Sequence, residues 1–204
     1  MLIYLHGFAS AGGQFKYKLL QRDFPDHKIL SPTLPVEPRM VIEYVRGMIE
    51  TEKDMTLMIG TSLGGFYAYY LAYKFQQEDL ITPAVIINPS LEPWRTLKPA
   101  LGKFRNFVSG EEFAWTDEHM HQLQDMASEI DPDKMDPAYL RFYVSTDDEL
   151  LDHTGIEEKL PLGASTKYYD HSQHRFTRFS ELFPEIKELY TQSRKDYIQS
   201  ISPL

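Results

Sequence analysis

The spacing of apolar residues predicts short strands that alternate with helices. Leu2–Leu5 is an apolar run that stops before a glycine turn, and runs of the same kind recur further along the chain. These later runs cover residues 27–32, 55–60, 83–89, 139–146 and 165–170. Short strands separated by helical patterns are typical of βαβ units, which build parallel sheets. The pattern therefore predicts a mostly parallel sheet of about six strands.

Helical spacing fills the intervals between these strands. A helix is expected over residues 14–24, a second begins near Pro38, a third covers residues 63–77, and a final helix runs to about residue 199. The strand residues are apolar in succession, which indicates that both faces of the sheet are covered. The expected fold is an α/β sandwich with helices on both faces of the sheet.

Residues 90–136 break this rhythm. The segment shows no clear strand pattern and is rich in aromatic residues, among them Trp94, Phe104 and Trp115. An insert of this length inside a compact domain is often functional. We expect a helical lid or cap within a single domain of residues 1–204. A pair of helices on the edge of the sheet is an equally good interpretation.

Composition narrows the class of protein. The chain has 204 residues, 42% of them apolar, with a formal net charge of −9 and no cysteine. The negative charge disfavours nucleic acid and anionic membranes as partners, and no apolar run approaches the roughly 20 residues of a membrane helix. The lack of cysteine excludes cysteine-thiol chemistry, and we expect the first residues to form a strand and not a signal peptide. We expect a cytoplasmic protein, either a monomer or a homodimer.

One short motif carries the main chemical signal. Gly60-Thr61-Ser62-Leu63-Gly64 has the form G-x-S-x-G and lies between a predicted strand and a predicted helix. In that context the serine occupies a strained turn that lifts its hydroxyl above the sheet, and the glycines let strand and helix approach each other. The motif predicts a nucleophilic serine, although a glycine-rich turn with a solvated serine has the same pattern.

A nucleophilic serine needs a base and an acid, and the chain offers candidates for both in the expected order. In this topology the acid and then the histidine follow later strands. The turn after the fifth predicted strand contains Asp147, Asp148, Glu149 and Asp152, and the turn after the sixth contains His171 and His174. The spacing alone leaves the choice among them open.

Two backbone N–H groups are candidates for binding an oxyanion. Leu63 follows the serine at the start of a helix, where the helix dipole favours negative charge. Phe8 lies in the loop after the first strand, next to Gly7, which lets the backbone approach closely. We interpret His6 as a residue that organises this loop. No cofactor is expected, and no metal, because the chain lacks a dense set of ligands at defined spacing.

Taken in order, the motifs resemble a known family. "YLHGF", "GTSLGGFYAYYLA", "NPSLEPW", "DDELLD" and "HRFTRF" are similar to the YqiA/YcfP-like small bacterial α/β-hydrolases, a family described as esterases. The resemblance covers nearly the whole chain and implies a compact α/β-hydrolase fold. It also implies Ser62 as the nucleophile, Asp148 as the acid and His174 as the base. Asp147 stands where the family usually has glycine and competes with Asp148, and His171 competes with His174.

The sequence therefore predicts a serine hydrolase that acts through an acyl-enzyme. The expected substrates are small-molecule carboxylic esters, or thioesters, of small to medium acyl groups. The alternative is a catalytically idle hydrolase fold that serves as a binding or interaction module. A basic and aromatic patch over residues 94–105 is either a solvated helix face or a site for an anionic substrate group.

Overall fold

The computed structural model describes residues 1–202, which contain one parallel sheet flanked by helices. The strands are β1 Leu2–Leu5, β2 Ile29–Leu30, β3 Leu57–Thr61, β4 Ala84–Ile87, β5 Gly102–Arg105, β6 Glu112–Trp115, β7 Leu140–Ser145 and β8 Ser165–Tyr169. The main sheet has the order β2-β1-β3-β4-β7-β8, and each neighbouring pair is parallel. The predicted sheet of six parallel strands is confirmed for this part of the chain.

The predicted helices are present with small shifts at their ends. The helices are α1 Phe15–Asp23, α2 Pro38–Glu50, α3 Leu63–Gln76, α4 Pro93–Thr96, α5 Asp117–Glu129 and α6 Phe183–Ile201. Pro38 begins α2, where its fixed φ and missing N–H suit the first turn of a helix. Across residues 1–202, no helix combines the length and the apolar character that crossing a membrane requires.

Successive strand residues pack into two separate cores, one on each face of the sheet. Ile3 and Leu5 belong to the core beneath α2 and α3, whereas Leu2 and Tyr4 belong to the core beneath α1 and α6. Neighbouring side chains of a strand point to opposite faces, so a strand between two helical layers must be apolar at every position. Helices on both faces of the sheet are confirmed.

The expectation that residues 90–136 contain no strand is wrong. β5 and β6 form an antiparallel hairpin in which Phe104 lies opposite Phe113 and Gly102 lies opposite Trp115. Lys103 on the other face of the hairpin is exposed. The strand pattern is only four residues long on each side, which is too short to stand out in an aromatic segment. The insert is therefore helical only in part, with α4 before the hairpin and α5 after it.

Candidate active site

The carboxyl ends of the parallel strands bring the predicted site residues to one edge of the sheet. β1 and β3 end next to each other, so the loop that contains Phe8 adjoins the turn at Ser62. β7 and β8 also end side by side, and the loops that follow them carry Asp148 and His174. Ligands of open α/β sheets bind at this edge. The fold therefore gathers the candidate residues where a substrate can reach them.

Ser62 occupies a sharp turn between β3 and α3. Its φ of 58° and ψ of −120° lie in a region that side-chain-bearing residues rarely adopt, at a cost of about 1–3 kcal/mol. Its N–H donates to the carbonyl of Ile87 at 2.9 Å, and its own carbonyl accepts the N–H of Ser90 at 3.2 Å. These bonds to the last residue of β4 and to the segment after it hold the strained turn in place.

The two glycines of the motif are required by close backbone contacts. A Cβ atom on Gly60 would lie 2.1 Å from the carbonyl oxygen of Gly64, and one on Gly64 would lie 2.2 Å from the carbonyl oxygen of Leu5. A carbon atom cannot approach an oxygen to which it is not bonded so closely. A side chain at either position would push α3 away from the sheet and displace Ser62.

Three of the predicted residues form a continuous chain of hydrogen bonds. His174 Nε2 lies 3.1 Å from Ser62 Oγ, and His174 Nδ1 lies 2.9 Å from each carboxylate oxygen of Asp148. The side chain of Asp148 is 1% exposed and that of His174 is 15% exposed. An imidazole that donates to the carboxylate through Nδ1 leaves Nε2 free to accept the serine proton.

The carboxylate of Asp148 also contacts a histidine that the sequence did not single out. His153 Nε2 lies 3.0 Å from Asp148 Oδ2, and the N–H groups of Leu150 and Leu151 donate to Oδ1 at 2.9 Å each. Burial by itself raises the pKa of Asp148. The hydrogen bonds from His153, His174 and Leu150 outweigh burial and hold the pKa of Asp148 well below its usual value. Asp148 is therefore an anion at neutral pH.

The neighbouring carboxylates contact the backbone of the histidine loop instead of the imidazole. Asp147 accepts the N–H groups of Ser172 and Gln173 at 3.0 and 3.1 Å. Glu149 accepts the N–H of His174 itself at 2.9 Å. The His171 side chain is 92% exposed, and its Nε2 lies 3.9 Å from a carboxylate oxygen of Asp170. The structure thus places His174, and not His171, in contact with Ser62, and Asp148, and not Asp147, in contact with the His174 imidazole.

Asn88 is a second residue that the sequence reasoning missed. It is fully buried at the end of β4, and its Nδ2 donates to the carbonyls of Gln173 and His174 at 3.0 Å each. Its Oδ1 accepts the N–H of Ser145 at 2.7 Å. A polar residue at the carboxyl end of a central strand was the available signal. Asn88 ties the end of β7 to the loop that carries His174.

The two candidate oxyanion donors belong to residues in two segments that adjoin Ser62. Leu63 is the first residue of α3, and Phe8 follows Gly7 in the loop after β1. For neither N–H does the described chain, residues 1–202, supply a hydrogen-bond acceptor. A Cβ on Gly7 would lie 3.3 Å from Ser62 Cβ, so the loop passes directly beside the serine. Both N–H groups are thus available to an oxygen bound next to Ser62.

His6 holds the loop that contains Phe8. Its Nδ1 lies 2.8 Å from the carbonyl oxygen of Gly7, and its Nε2 accepts the N–H of Leu34 at 3.0 Å. These partners require a neutral imidazole that carries its proton on Nδ1. Burial lowers the pKa of His6, which favours the same neutral form. His6 therefore acts as a structural bridge between two loops.

A cavity of about 160 Å³ opens beside the candidate oxyanion donors. Its walls are the β1 loop, residues 33–36, the start of α3 and the inner face of the β5–β6 hairpin. Aromatic rings line much of it, namely those of Phe8, Tyr67, Phe113 and Trp115. Glu111 supplies a carboxylate, and among residues 1–202 no lysine or arginine lines the cavity. The described lining of this cavity is thus mostly apolar and contains no positive side chain.

The insert is attached directly to the loop that carries Phe8. The Phe8 ring packs against those of Phe104, Phe113 and Trp115, with ring centroids 4.9–5.7 Å apart. At the turn of the hairpin, Phe107 N–H donates to the carbonyl of Ala9, and Asn106 Nδ2 donates to that of Ser10, each at 2.7 Å. The hairpin therefore fixes both the outer wall of the cavity and the path of the loop.

The basic patch over residues 94–105 does not contribute to this cavity. Arg95 pairs with Glu92 at 3.2 Å, and Arg105 pairs with Glu112 at 2.8 Å on the outer face of the hairpin. Exposed pairs of this kind contribute little energy. The interpretation as a solvated face fits these contacts better than a site for an anionic substrate group.

Solved structures with the same fold cover almost the whole chain. A monoacylglycerol lipase of Paleococcus ferrophilus is 13% identical with a TM-score of 0.67, and the match covers 93% of each chain. Est1E of Butyrivibrio proteoclasticus is 16% identical with a TM-score of 0.63, over 94% of this chain and 87% of Est1E. The chain therefore has the α/β-hydrolase fold, as expected from the motifs.

Relatives by sequence are bacterial proteins of one family. UPF0227 proteins of Pectobacterium atrosepticum and Pectobacterium carotovorum are 26% and 27% identical over 114 residues, which is 53% of this chain. The match spans 61% of the length of each relative, less than two thirds. The profile of the uncharacterised protein family UPF0227 matches residues 1–191. The chain belongs to this family, whose YcfP/YqiA-like members its motifs resemble.

Proposed function

We propose that the protein is a serine hydrolase that cleaves carboxylic esters, or thioesters, through an acyl-enzyme on Ser62. The observation that carries this proposal is the chain of hydrogen bonds from Ser62 Oγ through His174 to Asp148, with distances of 3.1 and 2.9 Å. A serine hydroxyl is a poor nucleophile until a neighbouring base takes its proton. The strained turn and the two available N–H groups add the other requirements of acyl transfer.

The reaction follows from the roles of these groups. Ser62 Oγ attacks the carbonyl carbon while its proton passes to His174 Nε2, and the negative oxygen of the tetrahedral intermediate binds the N–H groups of Leu63 and Phe8. His174 then gives the proton to the departing alkoxide or thiolate, which leaves an acyl group on Ser62. Water attacks this ester with His174 again as the base, and the carboxylic acid departs. Asp148 remains ionised and stabilises the imidazolium.

We assign the cavity beside Phe8 and Leu63 to the acyl group of the substrate. A cavity of about 150 Å³ is known to hold benzene, so 160 Å³ matches a group of about six carbons. The described wall of the cavity has the carboxylate of Glu111 and no lysine or arginine, which favours an uncharged group. Residues 90–136 act in this proposal as a fixed cap inside a single hydrolase domain, because the hairpin is bonded to the β1 loop.

The rate should depend on acyl length. In a series of p-nitrophenyl esters from acetate to decanoate, we expect kcat/KM to be highest at about four to six carbons and to fall at least tenfold by decanoate. The succinate half-ester, which carries a carboxylate, should react more slowly than the butyrate ester of the same length. A rate that still rises at decanoate would contradict the assignment of the cavity.

A fluorophosphonate probe tests the proposed function without a choice of substrate. The probe phosphonylates an activated serine, so intact-mass spectrometry should show one adduct, which peptide mapping places on Ser62. His174→Ala should slow labelling by at least about 10³-fold, because the hydroxyl then lacks its base. The exposed variant His171→Asn serves as the matched control and should label at the rate of the parent protein. No adduct on the parent protein would reject the proposal and favour an idle fold.

A further inference from the structure

His153 lies on the side of Asp148 opposite to the candidate base. Its Nε2 is 3.0 Å from Asp148 Oδ2, and its side chain is only 8% exposed. A histidine there is not required by the reaction, in which one imidazole and one carboxylate suffice. The loop fixes its backbone, since the carbonyl of His153 accepts the N–H of Ile156 at 3.1 Å. The contact between His153 and Asp148 therefore lies in a part of the loop after β7 whose backbone is fixed by a hydrogen bond.

The carboxylate of Asp148 has all its acceptor positions filled. A carboxylate offers about four lone-pair sites, and four donors surround this one. They are His174 Nδ1, His153 Nε2 and the N–H groups of Leu150 and Leu151. The Asp148 side chain is 1% exposed, so these four protein donors, and not bulk water, satisfy its carboxylate. Each donor thus restricts the rotation of the carboxylate.

We propose that His153 is a positioning residue, which donates its Nε2 proton to Asp148 Oδ2 and keeps the carboxylate facing His174 Nδ1. The proposal rests on the hydrolase function proposed above and extends it. The N–H groups of Leu150 and Leu151 both bind Oδ1 and make no bond to Oδ2. His153 binds Oδ2 and so limits the rotation of the carboxylate. Without His153, Oδ2 loses this donor, and the carboxylate is freer to rotate away from His174 Nδ1. The required property is the donated hydrogen bond and not a charge on His153.

Two substitutions that differ by one methylene separate the hydrogen bond from other roles of His153. The amide nitrogen of glutamine can reach the position of histidine Nε2, whereas that of asparagine is too short and stands near the position of Nδ1. We expect His153→Asn to lower kcat about tenfold with KM within about twofold, since one hydrogen bond to a charged group corresponds to about one order of magnitude. His153→Gln should keep kcat within about twofold of the parent protein.

The measurements are kcat and KM for a short acyl ester, the rate of labelling by the fluorophosphonate probe, and the melting temperature. His171→Asn, on an exposed histidine of the neighbouring loop, should leave all of them unchanged. Equal losses in the Asn and Gln variants, no loss in the Asn variant, or an effect on KM alone would overturn the role of His153. If the Asn variant does not fold, the Gln variant decides: a rate near that of the parent protein supports the proposal, and a tenfold loss overturns it.

The failure of this inference is distinct from the failure of the proposed function. A parent protein that labels on Ser62 together with an Asn variant that labels at the same rate rejects only the role of His153. A parent protein that does not label at all rejects the hydrolase function, and the positioning role falls with it.

Discussion

Replacement of Ser62 by alanine is expected to reduce ester turnover by about 10⁴-fold or more. In the proposed mechanism the acyl-enzyme forms on this oxygen, and within residues 1–202 the Ser62 hydroxyl has His174 as its hydrogen-bond partner. Alanine keeps the backbone of the turn but has no atom that can attack a carbonyl. The expected result is therefore a lower kcat and not a higher KM. Both are obtained from initial rates with a short p-nitrophenyl ester.

The fold should survive the same substitution. Alanine removes one partly exposed hydroxyl, so the melting temperature should stay within about 2 °C of the parent protein. Ser128→Ala, on the exposed face of α5, is a control for serine replacement elsewhere and should keep full activity. Unchanged turnover in Ser62→Ala would show that another group is the nucleophile.

Asp148→Asn is expected to lower kcat by about 10³–10⁴-fold. The amide cannot stabilise the imidazolium at His174, and its NH₂ group can hold the imidazole in the wrong tautomer. Asp147→Asn is the matched control, because an amide oxygen can still accept the N–H groups of Ser172 and Gln173. That variant should keep kcat within about fivefold. Comparable losses in the two variants would mean that the acid is wrongly assigned.

Asp148 should also make the stability of the protein dependent on pH. Its pKa in the folded protein lies below the value of about 3.9 in an unfolded chain, so its stabilising contribution is present above about pH 4 and is lost as the pH falls further. Urea denaturation between pH 7 and pH 3 should show a smaller loss of unfolding free energy for Asp148→Asn than for the parent protein. Parallel curves would contradict this linkage.

The turn at Ser62 could be predicted because the requirement is local. A strand that turns back into a helix within a few residues leaves no space for a side chain at Gly60 or Gly64. A Cβ atom there would lie only 2.1 or 2.2 Å from a backbone carbonyl oxygen. The two-sided sheet was predictable for a similar reason, since burial on both faces removes the alternation of polar residues. The turn and the two-sided sheet each depend on residues that are consecutive in the sequence.

The choice between Asp147 and Asp148 could not be made by the same means. Neighbouring residues of a turn point in different directions, and which one meets His174 depends on how the loops after β7 and β8 fit together. Asn88 bonds to Gln173, which lies 85 residues later in the sequence, and His153 contacts Asp148, which lies 5 residues earlier. In the sequence, each looks like an ordinary polar loop residue. The resemblance to a family named Asp148 and His174, whereas their supports appear only in three dimensions.

The hairpin of the insert has one consequence for the way substrate range can change. Asn106 and Phe107 hold the carbonyls next to Phe8, while Phe113 and Trp115 of the same hairpin bound the cavity. A mutation that reshapes the hairpin to admit a larger acyl group also shifts the peptide proposed to bind the oxyanion. In the proposed mechanism, substrate selectivity and reaction rate therefore depend on the same hairpin. Mutations that let this chain accept bulkier esters would therefore lower the reaction rate, unless a second change restored the position of the loop.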